Sequence, residues 1–136
     1  MIRPIMTDPL FLAQRSLPAD RSDVSVGQDL LDTLAAHREE CVGMAANMIG
    51  VRKCVIVFCD VMGSSVMYNP VILSKSDPYD TEEGCLSLIG TRPTRRWKTI
   101  TVRYQDAGFS TRQRTLTGFI AQIVQHEIDH TEGKLI

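Results

Sequence analysis

The chain lacks several features that would place it in a broad class at once. Its 136 residues contain no apolar run of about 18 residues, so no transmembrane helix is expected. An excess of charge of one sign is also missing, because the 15 Lys and Arg residues nearly balance the 16 Asp and Glu residues. This balance argues against wholesale binding to nucleic acid or to membranes. The N-terminal segment is broken by Pro4 and Pro9 and lacks the apolar core of a signal peptide.

The chain has four cysteines, and their number and spacing argue against two common structural roles. The four cysteines include no Cys-x-x-Cys pair, which argues against a zinc ribbon. Without an export signal they are expected to be cytosolic thiols or metal ligands rather than a disulfide frame. There is no internal repeat and no low-complexity segment. The length fits a single domain over 1–136, and a hydrophobic content of 43% is sufficient for a core.

The remaining pattern is a series of strands followed by one strongly apolar helix. Helical spacing of leucines predicts a helix over 29–40, and a second helix is predicted over 119–130. We interpret the polar segments 74–84 and 91–97 as loops. Branched or alternating residues predict strands over 53–60, 66–73, 98–106 and 110–118. The order of elements predicts an α+β domain.

The last helix carries the letters QHEIDH, which contain two histidines four residues apart. His126 and His130 are separated by about 400° on a helix, so they point the same way. Glu127 is displaced by about 100°, close enough to reach a water on a metal but poorly placed to be a ligand. The pattern is typical of metal-dependent hydrolases. The alternative is a helix with two satisfied core histidines.

A catalytic metal of this kind takes a third protein ligand, and few residues follow His130. The ligand must therefore come from upstream, where the candidates are His37, the cysteines and the acids of 80–83. Cys85 is the most distinctive of them, because it follows two acids and a glycine and precedes an apolar stretch. One thiolate with two imidazoles suits Zn²⁺ or Fe²⁺ and leaves a position for water.

Three segments together resemble a known family. The segments VGMAA (42–46), EGCLS (83–87) and QHEIDH (125–130) are similar, in order and spacing, to the signature motifs of the peptide deformylases. The resemblance covers nearly the whole chain. It implies an enzyme that removes the N-formyl group from the initiator methionine of nascent proteins. It also implies mostly antiparallel sheets packed around the C-terminal helix that carries HExxH, plus an N-terminal helix.

The resemblance also implies a role for each motif residue. Cys85, His126 and His130 would hold one divalent metal, with Fe²⁺ as the usual ion and Zn²⁺, Ni²⁺ or Co²⁺ as substitutes. The metal lowers the pKa of its bound water from about 15.7 toward 7. Glu127 would take the water's proton and return it to the departing amine. The backbone N–H of Leu86 would stabilise the negative oxygen that develops on the formyl group.

The expected substrate is a peptide that lies as an added strand along the backbone of the first motif. Its methionine side chain would enter an apolar pocket with one wall on the His126 side of the last helix. An arginine seven residues after the motif cysteine matches a family arginine near the substrate backbone. The residues expected to bind substrate are therefore Val42, Gly43, Met44, Met48, Arg92, Phe119 and Ile123.

Two positions depart from the family pattern, and the chain ends early. The first motif usually reads G-Φ-G-Φ-A-A-x-Q, but Cys41 stands at the first glycine and Met48 at the glutamine. A thioether cannot donate a hydrogen bond to the developing oxyanion, so we expect slower turnover than in relatives that carry the glutamine. Asn47 carries an amide one position early and would substitute only if the backbone bulged. The chain stops at GKLI, where many relatives continue.

Two other functions remain open at this stage. One is a related metal amidohydrolase with shifted N-acyl specificity, and the other is a non-enzymatic paralogue that binds peptides or the ribosome. The intact Glu127 argues against the second, because a structural metal site needs no base. The resemblance implies the bacterial cytoplasm, with no membrane partner and no sequence-specific nucleic acid. A basic run containing Arg95 and Arg96 is a solvated strand end, a substrate contact or a contact with ribosomal RNA, and either arginine is expected to pair with Asp129.

Overall fold

The computed structural model describes all residues, 1–136. Two helices precede the five strands in the chain, and the third helix follows them. Short 3-10 turns at Arg21–Asp23 and Ala46–Ile49 precede α2 and follow β1, respectively. The helices are α1 (Pro9–Leu12), α2 (Val24–Ala36) and α3 (Gly118–Thr131), and the strands are β1 (Gly43–Ala45), β2 (Val55–Asp60), β3 (Gly63–Cys85), β4 (Leu88–Gln105) and β5 (Thr111–Thr117).

All five strands form one antiparallel sheet in the order β1-β2-β3-β4-β5, each strand pairing with the next along the chain. The last helix, α3, packs on β2 and β4, and α2 packs on β2. The predicted α+β fold, with an antiparallel sheet, a C-terminal helix and an N-terminal helix, is confirmed. None of the helices is both long and apolar enough to cross a membrane.

Two segments predicted as loops are strands, so that prediction was wrong. Segments 74–84 and 91–97 belong to β3 and β4, which form one long hairpin closed by a two-residue turn. Their pairing is stabilised across the strands, where Asp80 lies opposite Arg95 and the Lys75 ammonium sits 3.9 Å from the centre of the Trp97 ring. A strand that is polar on both faces lacks the alternation by which strands are recognised.

The entry to α2 also differs from the prediction. This helix begins at Val24 rather than at 29, and it ends at Ala36. A capping box explains the early start, because Asp20 and Asp23 accept each other's backbone N–H groups in the preceding turn. The apolar face, including Leu30 and Leu34, is buried against the sheet.

The core lies on both faces of β2. Ile56 and Phe58 point toward α3 and pack in one cluster, whereas Val55 and Val57 point toward α2 and pack in another. Alternating residues of a strand face opposite sides of its sheet, so a strand covered on both sides is apolar throughout. This two-sided core fixes the position of α3 relative to β1 and β2.

Three polar contacts hold α3 in place. The Gln125 side chain accepts a hydrogen bond from the Trp97 N–H at 2.9 Å and donates to the Trp97 carbonyl at 2.8 Å. The buried Asn47 amide donates to the carbonyl of His130 at 2.9 Å. These bonds connect the helix to β4 and to the turn after β1. They restrict the rotation of α3 about its own axis, and the direction in which its histidines point depends on that rotation.

Candidate active site

The histidine pair and the motif cysteine meet at one point. Cys85 ends β3, and the last two turns of α3 bring His126 and His130 to it. The three potential ligand atoms all lie within 4.8 Å of one another. The His130 Nε2 is 3.3 Å from the Cys85 Sγ and 3.1 Å from the His126 Nε2. The hairpin turn adds the N–H of Ser87, which donates to the Cys85 Sγ at 3.4 Å.

A buried ion-pair network orients the first histidine. Glu83 approaches the His126 Nδ1 at 2.8 Å, which leaves Nε2 free to face the cysteine. Arg96 donates to both Glu83 oxygens, at distances from 2.7 to 3.2 Å, and to Asp129 at 2.6 Å. Arg96 is therefore the arginine that pairs with Asp129, whereas Arg95 pairs with Asp80 at the surface.

The network also determines the charges around the two histidines. Burial alone would raise the pKa of Glu83, but hydrogen bonds from His126 and Arg96 outweigh it and hold that pKa at about 2. Burial and the neighbouring His126 lower the pKa of His130 to about 3. Burial would lower the pKa of His126, but hydrogen bonds with Cys85 and Glu83 outweigh it and raise that pKa to about 10. Without a metal the pair therefore carries its proton on His126 and leaves His130 neutral, and a bound metal would displace the His126 proton.

Glu127 is a buried carboxyl group at the edge of this cluster. Its Oε1 has no hydrogen-bond partner in the chain. Burial raises the pKa of Glu127 to about 7. A carboxyl group with a pKa near the working pH can both accept and return a proton, which is the requirement for general acid–base catalysis.

The donor atoms fit a single divalent cation. Two imidazole nitrogens and a sulfur converge here, with the His130 Nε2 3.1 Å from the His126 Nε2 and 3.3 Å from the Cys85 Sγ. One sulfur and two nitrogens are a donor set that suits Zn²⁺ or Fe²⁺. The carboxylate behind His126 is a usual partner of a histidine that binds metal.

A cleft of about 600 Å³ opens onto this cluster. It runs between the backbone that leads into β1, the hairpin turn and one face of α3. Most of the predicted site residues line it, and His130 lies just behind it. The predicted residues on its walls are Val42, Gly43, Met48, Cys85, Leu86, Phe119, Ile123, His126 and Glu127.

Two residues predicted to bind substrate have side chains outside the cleft. Met44 is fully buried in the core beneath α2, because alternation along β1 points its side chain away from α3. Its backbone still belongs to β1, at the edge of the sheet. Arg92 is not part of the cleft wall, and its Nη1 donates to the carbonyl of Ile89 at 3.1 Å. Spacing from Cys85 alone could not show the direction of this side chain.

The cleft also contains polar residues that the motifs did not single out. Gln122 lies between Phe119 and Ile123 on the α3 side of the cleft, and Glu40 and Glu82 also line it. Gln122 could have been found from the sequence, because helical spacing places positions three and four residues before His126 on its side of the helix.

Met48 lines the cleft at the position where the resemblance leads one to expect a glutamine. It is buried, and its Sδ accepts the N–H of Ala45 at 3.5 Å. The neighbouring Asn47 does not substitute for the missing amide, because its side chain donates to His130 behind the site. The turn at Ala46–Ile49 therefore offers the cleft no side-chain donor.

Gly43 is a point of close approach between β1 and α3. A Cβ atom at this position would lie 2.7 Å from the Ile123 Cγ2 and 2.9 Å from the Glu127 Oε2. We therefore expect Gly43→Ala to displace Glu127 and to lower kcat/KM for a formylated peptide by at least about tenfold. Gly84→Ala is the control, because the same atom there meets neighbours only at 3.5 Å or beyond. Equal rates in both variants would contradict this account.

The fold and the site together are typical of a metal-dependent hydrolase. A cysteine at the end of a strand in an antiparallel sheet faces two histidines and a buried glutamate on the C-terminal helix. A family model described as polypeptide deformylase matches residues 2–136. The chain belongs to the polypeptide deformylase family, as its motifs predicted, and it is an enzyme of that family.

Individual relatives agree with this assignment over the full chain. A curated peptide deformylase of Clostridium beijerinckii is 54% identical over 138 aligned residues, which span 100% of both chains. A peptide deformylase structure from Legionella pneumophila is 35% identical with a TM-score of 0.88, covering 99% of this chain and 83% of that one. A class I type b peptide deformylase from Acinetobacter baumannii, crystallised with Met-Ala-Ser bound, has a TM-score of 0.88 at 26% identity, covering 99% and 97%.

Proposed function

We propose that this protein hydrolyses the formyl amide at the N-terminal methionine of nascent peptides with the help of one divalent metal. The observation that carries the proposal is the convergence of Cys85, His126 and His130 within 4.8 Å, next to the buried Glu127. Deformylation of peptides is the activity of the family. The Met-Ala-Ser tripeptide in the Acinetobacter baumannii structure is the product expected from a formylated substrate of that sequence.

Cys85, His126 and His130 would hold the cation. Bound there, it supplies Lewis acidity, which lowers the pKa of coordinated water toward neutrality and polarises the formyl oxygen. The mixed sulfur and nitrogen donors support Fe²⁺, with Zn²⁺, Ni²⁺ or Co²⁺ as substitutes. Glu83 keeps the His126 Nε2 directed at the site, and Arg96 keeps Glu83 ionised.

Glu127 is the proposed general base. Its Oε1 is buried and unpartnered, so the carboxylate can accept a proton from the attacking water without first losing another bond. The same oxygen can then return the proton to the amine that leaves. The raised pKa of Glu127, about 7, places both transfers within reach at neutral pH.

The oxyanion donor is the backbone N–H of Leu86. Leu86 stands in the two-residue turn between β3 and β4, beside Cys85, and lines the cleft. Outside the strand ladder, its N–H is available to a ligand. A donor held by a tight hairpin turn needs no rearrangement when charge develops on the formyl oxygen.

The open edge of β1 is the proposed place for the peptide backbone. β1 pairs with β2 on one side only, and Val42 and Gly43 line the cleft at its other edge. An extended peptide can add there as a further strand. Phe119 and Ile123 would contact the methionine side chain. A position of Arg92 near the peptide backbone also remains part of the proposal.

Met48 is expected to slow this reaction, because it cannot donate a hydrogen bond to the developing oxyanion. We expect Met48→Gln to raise kcat/KM for formyl-Met-Ala-Ser by about tenfold or more, because an amide in the cleft wall adds an oxyanion donor. The second candidate function is an amidohydrolase with a shifted acyl preference, in which Met48 and Cys41 have reshaped the acyl pocket. The same substitution tests this candidate. Met48→Leu is the control, since it adds no donor. No gain in the glutamine variant would contradict this explanation of the departure.

The proposed setting is the bacterial cytoplasm, where nascent chains begin with formyl-methionine. The curated relatives come from bacteria. Contact with the ribosome would have to use exposed basic residues such as Arg95 and Lys98, since Arg96 of the same run is buried in its ion pairs. Neither sequence-specific nucleic acid nor a membrane is part of the proposal.

Metal-dependent release of formate tests the proposal. The protein is loaded with Ni²⁺ or, under anaerobic conditions, with Fe²⁺, and metal content and formate from formyl-Met-Ala-Ser are measured. We expect one metal per chain and turnover in the wild type, and loss of both in Cys85→Ala. Cys54→Ala is the matched control, because this half-buried thiol lies elsewhere and contacts Ser16. Metal retained by Cys85→Ala would contradict the ligand assignment.

A further inference from the structure

The cleft wall on α3 has a polar residue between two apolar ones. Phe119 and Ile123 flank Gln122, and all three line the cleft. A pocket for a methionine side chain has no evident need for an amide at this place. Amide groups in binding sites usually set orientation or specificity, because a polar group facing an apolar ligand costs free energy unless it finds a partner.

The Gln122 amide is held at both ends. The Tyr79 hydroxyl donates to its Oε1 at 3.2 Å, and its Nε2 donates to the Glu83 Oε2 at 2.9 Å. Arg96 also donates to both Glu83 oxygens, so these oxygens act as acceptors and the amide nitrogen is the end that faces them. The Tyr79 hydroxyl and the Glu83 carboxylate therefore fix the orientation of the amide.

One hydrogen of this amide is left unused. Nε2 carries two hydrogens, and its only acceptor in the chain is Glu83. Gln122 is only partly buried and lines the cleft, so the remaining N–H is available to a ligand there. A ligand side chain that reaches this wall would meet a donor held in place in advance.

We propose that Gln122 is a specificity-determining residue that favours a first side chain ending in a hydrogen-bond acceptor. The inference rests on the proposed function and concerns the side chain of the terminal residue. The sulfoxide oxygen of oxidised methionine is a strong acceptor, the thioether of methionine a weak one, and the all-carbon norleucine has none. The enzyme should therefore process chains that begin with oxidised formyl-methionine, and should discriminate against norleucine.

The test compares matched peptides in wild type and Gln122→Leu. Formyl-Met(sulfoxide)-Ala-Ser and formyl-norleucine-Ala-Ser are assayed for kcat/KM with the metal-loaded protein, and their deformylated products are titrated for Kd. One hydrogen bond corresponds to about a three- to tenfold change in the ratio of the two peptides. The ratio cancels any common effect of the substitution on Glu83 and His126, since both peptides share the same chemistry.

Tyr79→Phe is the matched control, because it removes only the bond to the Gln122 oxygen and leaves Glu83 to hold the nitrogen. We expect the sulfoxide-to-norleucine ratio to fall by about three- to tenfold in Gln122→Leu and to stay within about twofold of wild type in Tyr79→Phe. Gln122→Met serves if the leucine variant does not fold.

An unchanged ratio in the folded leucine or methionine variant would overturn the inference, even if formyl-Met-Ala-Ser is turned over normally. Absence of all turnover would instead count against the proposed function. The Kd ratio of the product peptides would still decide the role of Gln122 in that case, because it requires no reaction.

Discussion

Glu127→Gln is expected to lower kcat/KM for formyl-Met-Ala-Ser by about 10²- to 10⁴-fold, the range over which general acid–base groups act. The amide has the size of the carboxyl group but cannot take a proton from water. Glu127 points into the cleft beside the His126–His130 pair, and no other carboxylate of the cleft is buried next to it except Glu83, which is occupied by Arg96. No neighbouring base is therefore available to replace it.

The measurement is formate release by protein whose metal content has been determined in parallel. Glu132→Gln is the matched control, because Glu132 follows α3 at its exposed end and pairs with Lys134. We expect equal metal content in all three proteins and a loss of rate only in the first variant. A Glu127→Gln protein that is fully loaded and retains more than about a tenth of the wild-type rate would exclude Glu127 as the base.

Arg96→Met is expected to lower the free energy of unfolding by about 3–5 kcal/mol, the cost of leaving a buried charge without its partner. Arg96 is buried and pairs with both Glu83 and Asp129, so its removal would leave these two carboxylates without their shared cation. The free energy of unfolding is measured by urea denaturation of the metal-free protein at pH 7. The same loss would free Glu83 and disturb the orientation of His126.

Arg95→Met is the matched control on the neighbouring position of β4. Its pair with Asp80 is exposed, and such surface pairs contribute about 0–1 kcal/mol. We expect the urea midpoint of this variant to stay close to wild type. Similar destabilisation of both variants would show that the β3–β4 hairpin as a whole, rather than the buried ion-pair network, stabilises this region.

Much of the site could be predicted from the sequence because its residues lie within short motifs. Helical periodicity is enough to place His126, Glu127 and His130 relative to one another, and the structure brings them to Cys85 across the sheet. The strand segments 53–60 and 110–118 and helix α3 were also predicted near their observed bounds, whereas 66–73 and 98–106 cover only parts of β3 and β4. The meeting of Cys85 with the histidines could be proposed only by elimination and by resemblance, because no local pattern encodes a contact over 41 residues of chain.

The long hairpin of β3 and β4 shows what local patterns cannot predict. Its outer half is polar on both faces, and strand pairing of Asp80 with Arg95 replaces the alternation expected of a half-buried strand. Arg92 illustrates the same limit, since its position relative to Cys85 was clear but its side-chain direction depends on the hairpin register. Tertiary pairing, rather than intrinsic preference, decides both.

The central claim is that this site cleaves a formyl amide with metal and Glu127. It is tested most directly by comparing formyl-Met-Ala-Ser with acetyl-Met-Ala-Ser as substrates of the Ni²⁺-loaded protein, with formate and acetate measured separately. We predict formate release that requires the metal and much slower release of acetate. Faster release of acetate, or no release of either acid by a folded and fully loaded protein, would contradict the proposed deformylase activity.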